Sequence, residues 1–344
     1  MPKQRVDCGA PRRSSAIRAA RSLSGAILLI LAISACASPP APPAPKMKVT
    51  IAATTLPSSA AVYVAHEKGY FRAEGLDDEV RLYGAGRLAL EAALERKVDV
   101  AMVAETPIVG AVLRRRTPHV IATVCEIDGA NVIVGRKDRG IKTAHDLIGK
   151  RIGVFVGTSS DFFLHIYLVT SDVDPKAVTV VPLTTDNLVS SLVSGKVDAI
   201  AAFAPYTFQS QDRLGTNATV LGQPGLYTTF WKVATSREFA RRRSDALVAF
   251  LRAIRRANLS IAAHPTEAQR ITARWTGISL ANIRRTWSTY HWTLELEQPL
   301  LLALEDESRW MSSESTTPDF LRYLDGAPLK RVEPGAVRLI EPRN

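Results

Sequence analysis

The stretch KVDVAMVAETP, Lys97 to Pro107, returns later in the chain as KVDAIAAFAPY, Lys196 to Tyr206. Each copy follows a helix-like run, LALEAALER in the first case and NLVSSLVSG in the second. Each then has a Lys-Val-Asp corner, an apolar burst of strand length and a turn containing proline. The copies lie 99 residues apart (196 against 97). Repeat arrays run at periods of roughly 20 to 50 residues, so one echo at this spacing predicts two similar α/β units instead of a solenoid.

Reading outward from the echo, strands and helices alternate. KVTIAATT opens as a strand and LPSSAAVYVAHEKG follows as a helix closed at Gly69. A strand at DEVRLY, a helix over 87–96, the strand VDVAMVA, the helix PIVGAVLRRR and the strands HVIATVCEI and NVIVGR complete a first block. KRIGVFVG, a helix from Ser159, AVTVVPL, DNLVSSLVSG, VDAIAAF and a helix from Tyr206 form a second. LYTTFWKVAT crosses back as a strand, and 244–312 reads as almost wholly helical. Alternation at this spacing predicts parallel, doubly wound sheets. The expected organisation is a discontinuous lobe of 48–140 plus 226–344 around a lobe of 141–225, joined by two crossings that form a hinge.

A chain of 344 residues can bury a core in each of two domains. Its net charge of +11 is inflated by the N-terminus: six of the 44 basic residues and one of the 33 acidic residues fall in 1–35, and without them the balance is +6. That start reads as an export signal, basic and then apolar over Leu23 to Ile33, too short to span a bilayer. Ile33-Ser34-Ala35-Cys36 resembles a bacterial lipoprotein box, which makes Cys36 the expected lipidation site. Residues 36–47 then form a proline-rich tether whose SPPAPPAP run reaches about 25 Å. Arg12-Arg13 is a faint sign of twin-arginine export. Cys8 lies in the leader and Cys125 in an apolar run, so no internal disulfide is expected and Cys125 reads as a buried small hydrophobe.

Ligands of open α/β sheets sit beyond the carboxyl ends of the strands. That rule selects Ser58, Ser59, Gly86, Arg87, Glu105, Thr106, Thr158, Ser159, Ser160, Phe203, Tyr206 and Thr228. Helix-opening amides and hydroxyls suit an anion. Arg87 in a first helical turn opposes the helix dipole unless an anion compensates, or else leans into solvent. Ser159 and Ser160 can cap their helix, meet a ligand, or do both. Phe203 and Tyr206 can line a small organic ligand or belong to the core, and Glu105 can receive a donor or face water. No metal spacing, nucleophile elbow or phosphate loop is present, and no cofactor is expected. The runs Arg114–Arg116, Arg241–Arg243 and Arg255-Arg256 lack interleaved aromatics, so a solvated surface is preferred to nucleic-acid binding.

HEKGYFRAEGLD, the two echo segments, IKTAHDLIGKRIGVFVGTSSDFFLHIYL and the ending TTPDFLRYLDGAPLKRVEPGAVRLIEP, in this order, resemble the substrate-binding proteins of ABC transporters of the nitrate, sulfonate and taurine type. That family includes the thiamine-pyrimidine-precursor binders. The resemblance covers roughly 48–341. It implies a periplasmic-binding-protein fold of the second type and a monomer, anchored outside the cytoplasm, that hands a small anionic solute to a membrane permease. It also implies ligand contacts at Ser58-Ser59, Gly86-Arg87, Thr106 and Thr158 to Ser160. Many relatives carry an acid where this chain has Ala204, which leaves the solute open. An enzyme of pyrimidine-precursor or menaquinone type on the same fold, or a sensory receptor, are the rival readings.

Overall fold

The computed structural model describes residues 47–312 and 316–340. The leader, Cys36 and the proline-rich run lie outside the described residues. Strands β1 (Met47–Thr54), β2 (Leu76–Tyr83), β3 (Val100–Val103), β4 (Pro118–Asp128), β5 (Asn131–Arg136) and β6 (Arg151–Val154) are followed by β7 (Thr179–Pro182), β8 (Ala199–Phe203) and β9 (Ala218–Leu221). Then come β10 (Thr228–Ser236), β11 (Tyr290–Glu297) and β12 (Val337–Arg338). They build a seven-stranded sheet, β12-β11-β4-β10-β3-β1-β2, and a five-stranded sheet, β7-β6-β8-β5-β9. The protein is a mixed α/β molecule built on these two sheets.

The echo occupies the same place in each sheet. β3 and β8 are interior strands buried on both faces, which is why they read as unbroken apolar runs. The residue before each Lys-Val-Asp has left-handed backbone, Arg96 at φ 63° and Gly195 at φ 78°, and turns the helix into the strand. The aspartates then do identical work. Asp99 Oδ2 accepts the Thr50 amide at 2.8 Å and the Asp99 amide donates to Thr50 O at 2.9 Å. Asp198 Oδ2 accepts the Arg151 amide at 2.9 Å and its own amide donates to Arg151 O at 2.8 Å. Each Asp therefore fixes its strand against the neighbouring parallel strand, β1 or β6.

Three features depart from the expectations. β5, read as the end of the first block, hydrogen-bonds to β8 and β9, so the first crossing between sheets falls at 129–130. Neither sheet is purely parallel: β10 runs antiparallel between β3 and β4, and β5 antiparallel between β8 and β9, because both crossing strands arrive from the other sheet. The segment 244–312, read as almost wholly helical, contains β11, which pairs with β4. Elsewhere the elements follow their sequence. The helix Gly86–Leu94 (GRLALEAAL) uses strong helix formers, and its Ala89, Leu90, Ala92 and Ala93 are buried. The edge strand β2 alternates and exposes charged residues, which discourages further pairing. Cys125 is fully buried in β4 and burial pushes its thiol pKa well up, as a small core residue requires.

Candidate functional site

Three helices begin at the junction of the two sheets: Gly86–Leu94 after β2, Glu105–Leu113 after β3 and Ser159–Thr170 after β6. Their first turns, with the turn at Ser58, surround a cavity of about 40 Å³, room for a few waters. Ser58, Gly86, Arg87, Thr158, Ser159 and Phe203 line it. Each helix start contributes unpaired amides and a partial positive charge, and Arg87 adds a full one. Leu56 forms an apolar wall with Ile127, Ala130, Trp231 and Tyr290, four residues that the strand-end rule did not select. Gly86 is required by close packing: a Cβ there would stand 3.0 Å from Val103 Cα and 3.1 Å from Trp231 Cη2.

Arg87 lines the cavity and bridges the two sheets instead of leaning into solvent. Its Nη1 donates to Val156 O at 2.6 Å, its Nε to Glu91 at 3.2 Å, and its guanidinium lies 5.1 Å over the Phe155 ring. Val156 belongs to the loop after β6, so Arg87 spans from one sheet's helix to the other sheet's loop. Two more contacts cross the junction. The Tyr206 hydroxyl donates to Gly84 O at 2.9 Å, and Asn131 links the Ser159 hydroxyl (3.2 Å) to the Thr229 hydroxyl (3.2 Å).

The other selected residues turn away from the cavity. Ser59 is buried and its Oγ accepts the Thr54 amide at 3.2 Å, tying β1 to the following turn. Ser160 lies 2.9 Å from the Thr158 hydroxyl, which also reaches Phe155 O at 2.7 Å. Neither Ser159 nor Ser160 caps the helix; Thr158 occupies the N-cap position and Asp161 accepts the Gly157 amide at 2.8 Å. Tyr206 packs edge-on against Phe203, and Thr228 donates to Asp128 at 2.7 Å between the crossing segments.

Glu105 and Thr106 point into the core instead of facing a ligand or water. Glu105 Oε2 pairs with Lys232 Nζ at 3.0 Å, both side chains fully buried, and accepts the Phe230 amide at 2.9 Å. The Tyr227 hydroxyl donates to Glu105 Oε1 and lies 3.1 Å from Glu307 Oε1. Burial, and then the negative charge of Glu105, push the Glu307 carboxyl well above its ordinary range, so it holds its proton. Burial lowers the Lys232 pKa while Glu105 opposes that shift. This cluster backs the cavity wall formed by Ala104, Pro107 and Trp231. The sequence did carry a signal for it, a single lysine inside the apolar strand TTFWKVATS. A lysine in such a strand is buried only with a partner.

A putative thiamine biosynthesis protein of Haemophilus influenzae is 28% identical over 218 residues, 62% of this chain and 68% of the relative. A putative aliphatic sulfonates-binding protein of Bacillus subtilis is 24% identical over 247 residues, 70% of this chain and 74% of the relative. The alkanesulfonate-binding protein SsuA from Xanthomonas axonopodis pv. citri, solved bound to MOPS, superposes with a TM-score of 0.71 at 19% identity, covering 83% of this chain and all of that one. Residues 56–268 match a family described as NMT1/THI5 like, and the chain belongs to that family.

Proposed function

We propose that the protein is a solute-binding receptor of an ABC importer that takes a small organic anion between two closing lobes. The observation that carries this reading is the cavity at the junction of the two sheets, walled from both sides. Arg87 and three helix starts supply the positive end, and Leu56, Ile127, Phe203, Trp231 and Tyr290 supply an apolar end. A sulfonate with an aliphatic or aromatic body has that polarity, and the names of two relatives support the class. One lobe is the seven-stranded sheet with its helices, the other the five-stranded sheet, and they move about 129–130 and 222–227. The cavity is too small for such a solute, so entry requires the lobes to part. Parting breaks the Arg87–Val156 and Tyr206–Gly84 bonds. The ligand residues are then Ser58, Gly86, Arg87, Thr158, Ser159 and Phe203, with Thr229, Trp231 and Tyr290 added. The export signal places the body outside the cytoplasm, with Cys36 as its lipid anchor and a membrane permease as its partner.

Thermal-shift screening of sulfonates, carboxylates, nitrate and pyrimidines tests the proposal. A concentration-dependent rise in Tm with an organic sulfonate is expected, and a flat response across the panel overturns it. The name of the Haemophilus influenzae relative favours a second reading, an enzyme on this fold. Mass spectrometry of the bound solute after incubation separates the two, since a receptor returns it unchanged and an enzyme does not.

A further inference from the structure

The opposite end of the seven-stranded sheet carries a second concavity of about 580 Å³. Arg96, Arg116, Arg237, Arg241 and Arg242 line it with a single acid, Glu238. Glu238 is shared between Arg96 Nη2 at 2.7 Å and Arg242 Nη1 at 3.3 Å. Among the described residues, no carboxylate pairs with Arg116, Arg237 or Arg241, all exposed. Five guanidinium groups against one carboxylate give this surface a net charge of +4. Such a cluster repels itself and is relieved by an anionic partner, and guanidinium forks suit phosphate oxygens.

Its place in the fold narrows the partner. β10 runs from Thr228, beside the cavity, to Ser236, beside the arginines, so the two sites stand about 26 Å apart at 3.3 Å per residue. β1 starts at Met47 at the arginine end, where Arg243 Nη2 contacts Lys48 O at 3.3 Å. Met47 is the eleventh residue after Cys36, and a polyproline link of that length reaches about 34 Å. The chain that leads from Cys36 therefore enters the described body at its arginine end.

We infer that the arginine-lined end is a docking face for anionic lipid headgroups. In the docked state the cavity end points away from the bilayer, toward arriving solute, and docking must be released before the cavity end can meet a permease. The orientation rests on the reading of Cys36 as the lipid anchor; the headgroup affinity of the face does not. The test is sedimentation of the full mature chain carrying Cys36→Ser with vesicles of phosphatidylcholine, and of equal parts phosphatidylcholine and phosphatidylglycerol. Binding is expected to the anionic vesicles alone, and to weaken between about 0.1 M and about 1 M salt as the screening length falls from about 10 Å to about 3 Å. Each guanidinium near the surface contributes roughly five-fold, so Arg116→Ala/Arg237→Ala/Arg241→Ala loses about 100-fold. That variant keeps its solute affinity, which shows that it is folded. Equal sedimentation with both vesicles, none with either, or an unaffected triple variant overturns the inference. So does displacement by inorganic phosphate at constant ionic strength, which would make the concavity a free-anion site. The mass of the mature wild-type chain reports the lipid on Cys36 separately, so the two readings fail independently.

Discussion

Replacing Lys232 with methionine keeps the volume of the buried chain and removes its charge. At 3.0 Å and an effective dielectric of about 20, the attraction between Lys232 and Glu105 is about 5 kcal/mol. Desolvation of both groups offsets most of it, so the intact pair adds little net stability. Breaking it is different, because Lys232→Met leaves the Glu105 carboxylate buried with only the Phe230 amide and the Tyr227 hydroxyl to serve it. The expected loss is about 3–5 kcal/mol, and Glu105→Gln loses a similar amount by stranding the ammonium. In the double variant the side-chain amide introduced by Glu105→Gln can accept the Phe230 amide on its carbonyl and donate its NH2 to the Tyr227 hydroxyl oxygen, so the loss should be near 1 kcal/mol, far below the sum of the single losses. Urea unfolding at pH 7, followed by far-UV circular dichroism on all four proteins, gives the coupling. Single losses that add to within about 0.5 kcal/mol would refute the reasoning, because independent sites add.

Other outcomes follow from the same structure. Glu307→Gln should stabilise the protein at neutral pH and lose that advantage in acid. Below the ordinary 4.5 of the carboxyl both states are protonated; above it the unfolded chain ionises while the folded one holds its proton, so the wild type loses up to about 1.4 kcal/mol per pH unit that the variant keeps. Unfolding curves across that range with equal slopes for both proteins would contradict it. Gly86→Val should cost about 1–3 kcal/mol by pressing on Val103 and Trp231, and an unchanged Tm would show that the wall yields. Asp99→Ala and Asp198→Ala should each cost about 1.5–3 kcal/mol, because each aspartate accepts a backbone amide of its neighbouring strand. A loss below about 0.5 kcal/mol at either position in urea unfolding would deny the shared role.

The sequence made the two-sheet plan readable because the echo is a structural unit: a left-handed helix end, a pinning aspartate and a doubly buried strand. Strand direction was less readable, since a buried apolar strand such as β5 has the same pattern whether parallel or antiparallel. β11 did leave a mark: YHWTLELE alternates apolar and polar residues, but the helical runs on both sides masked it. At the cavity, the strand-end rule finds the right turns without saying which of two adjacent residues faces inward. Ser58 lines the cavity while Ser59 ties Thr54, and Ser159 lines it while Ser160 meets Thr158. The apolar wall was out of reach because Ile127, Trp231 and Tyr290 come from three strands brought side by side only by β4, β10 and β11.

On the proposed reading an organic anion binds between the lobes against Arg87. Calorimetric titration of the mature chain and of Arg87→Ala, with the sulfonate that most raises the Tm, tests it most directly. The account predicts saturable binding of one solute per chain, weakened in the variant by about 1.5–3 kcal/mol, the range for a charged hydrogen bond. Equal affinity in both proteins would place the anion away from Arg87 and contradict the account.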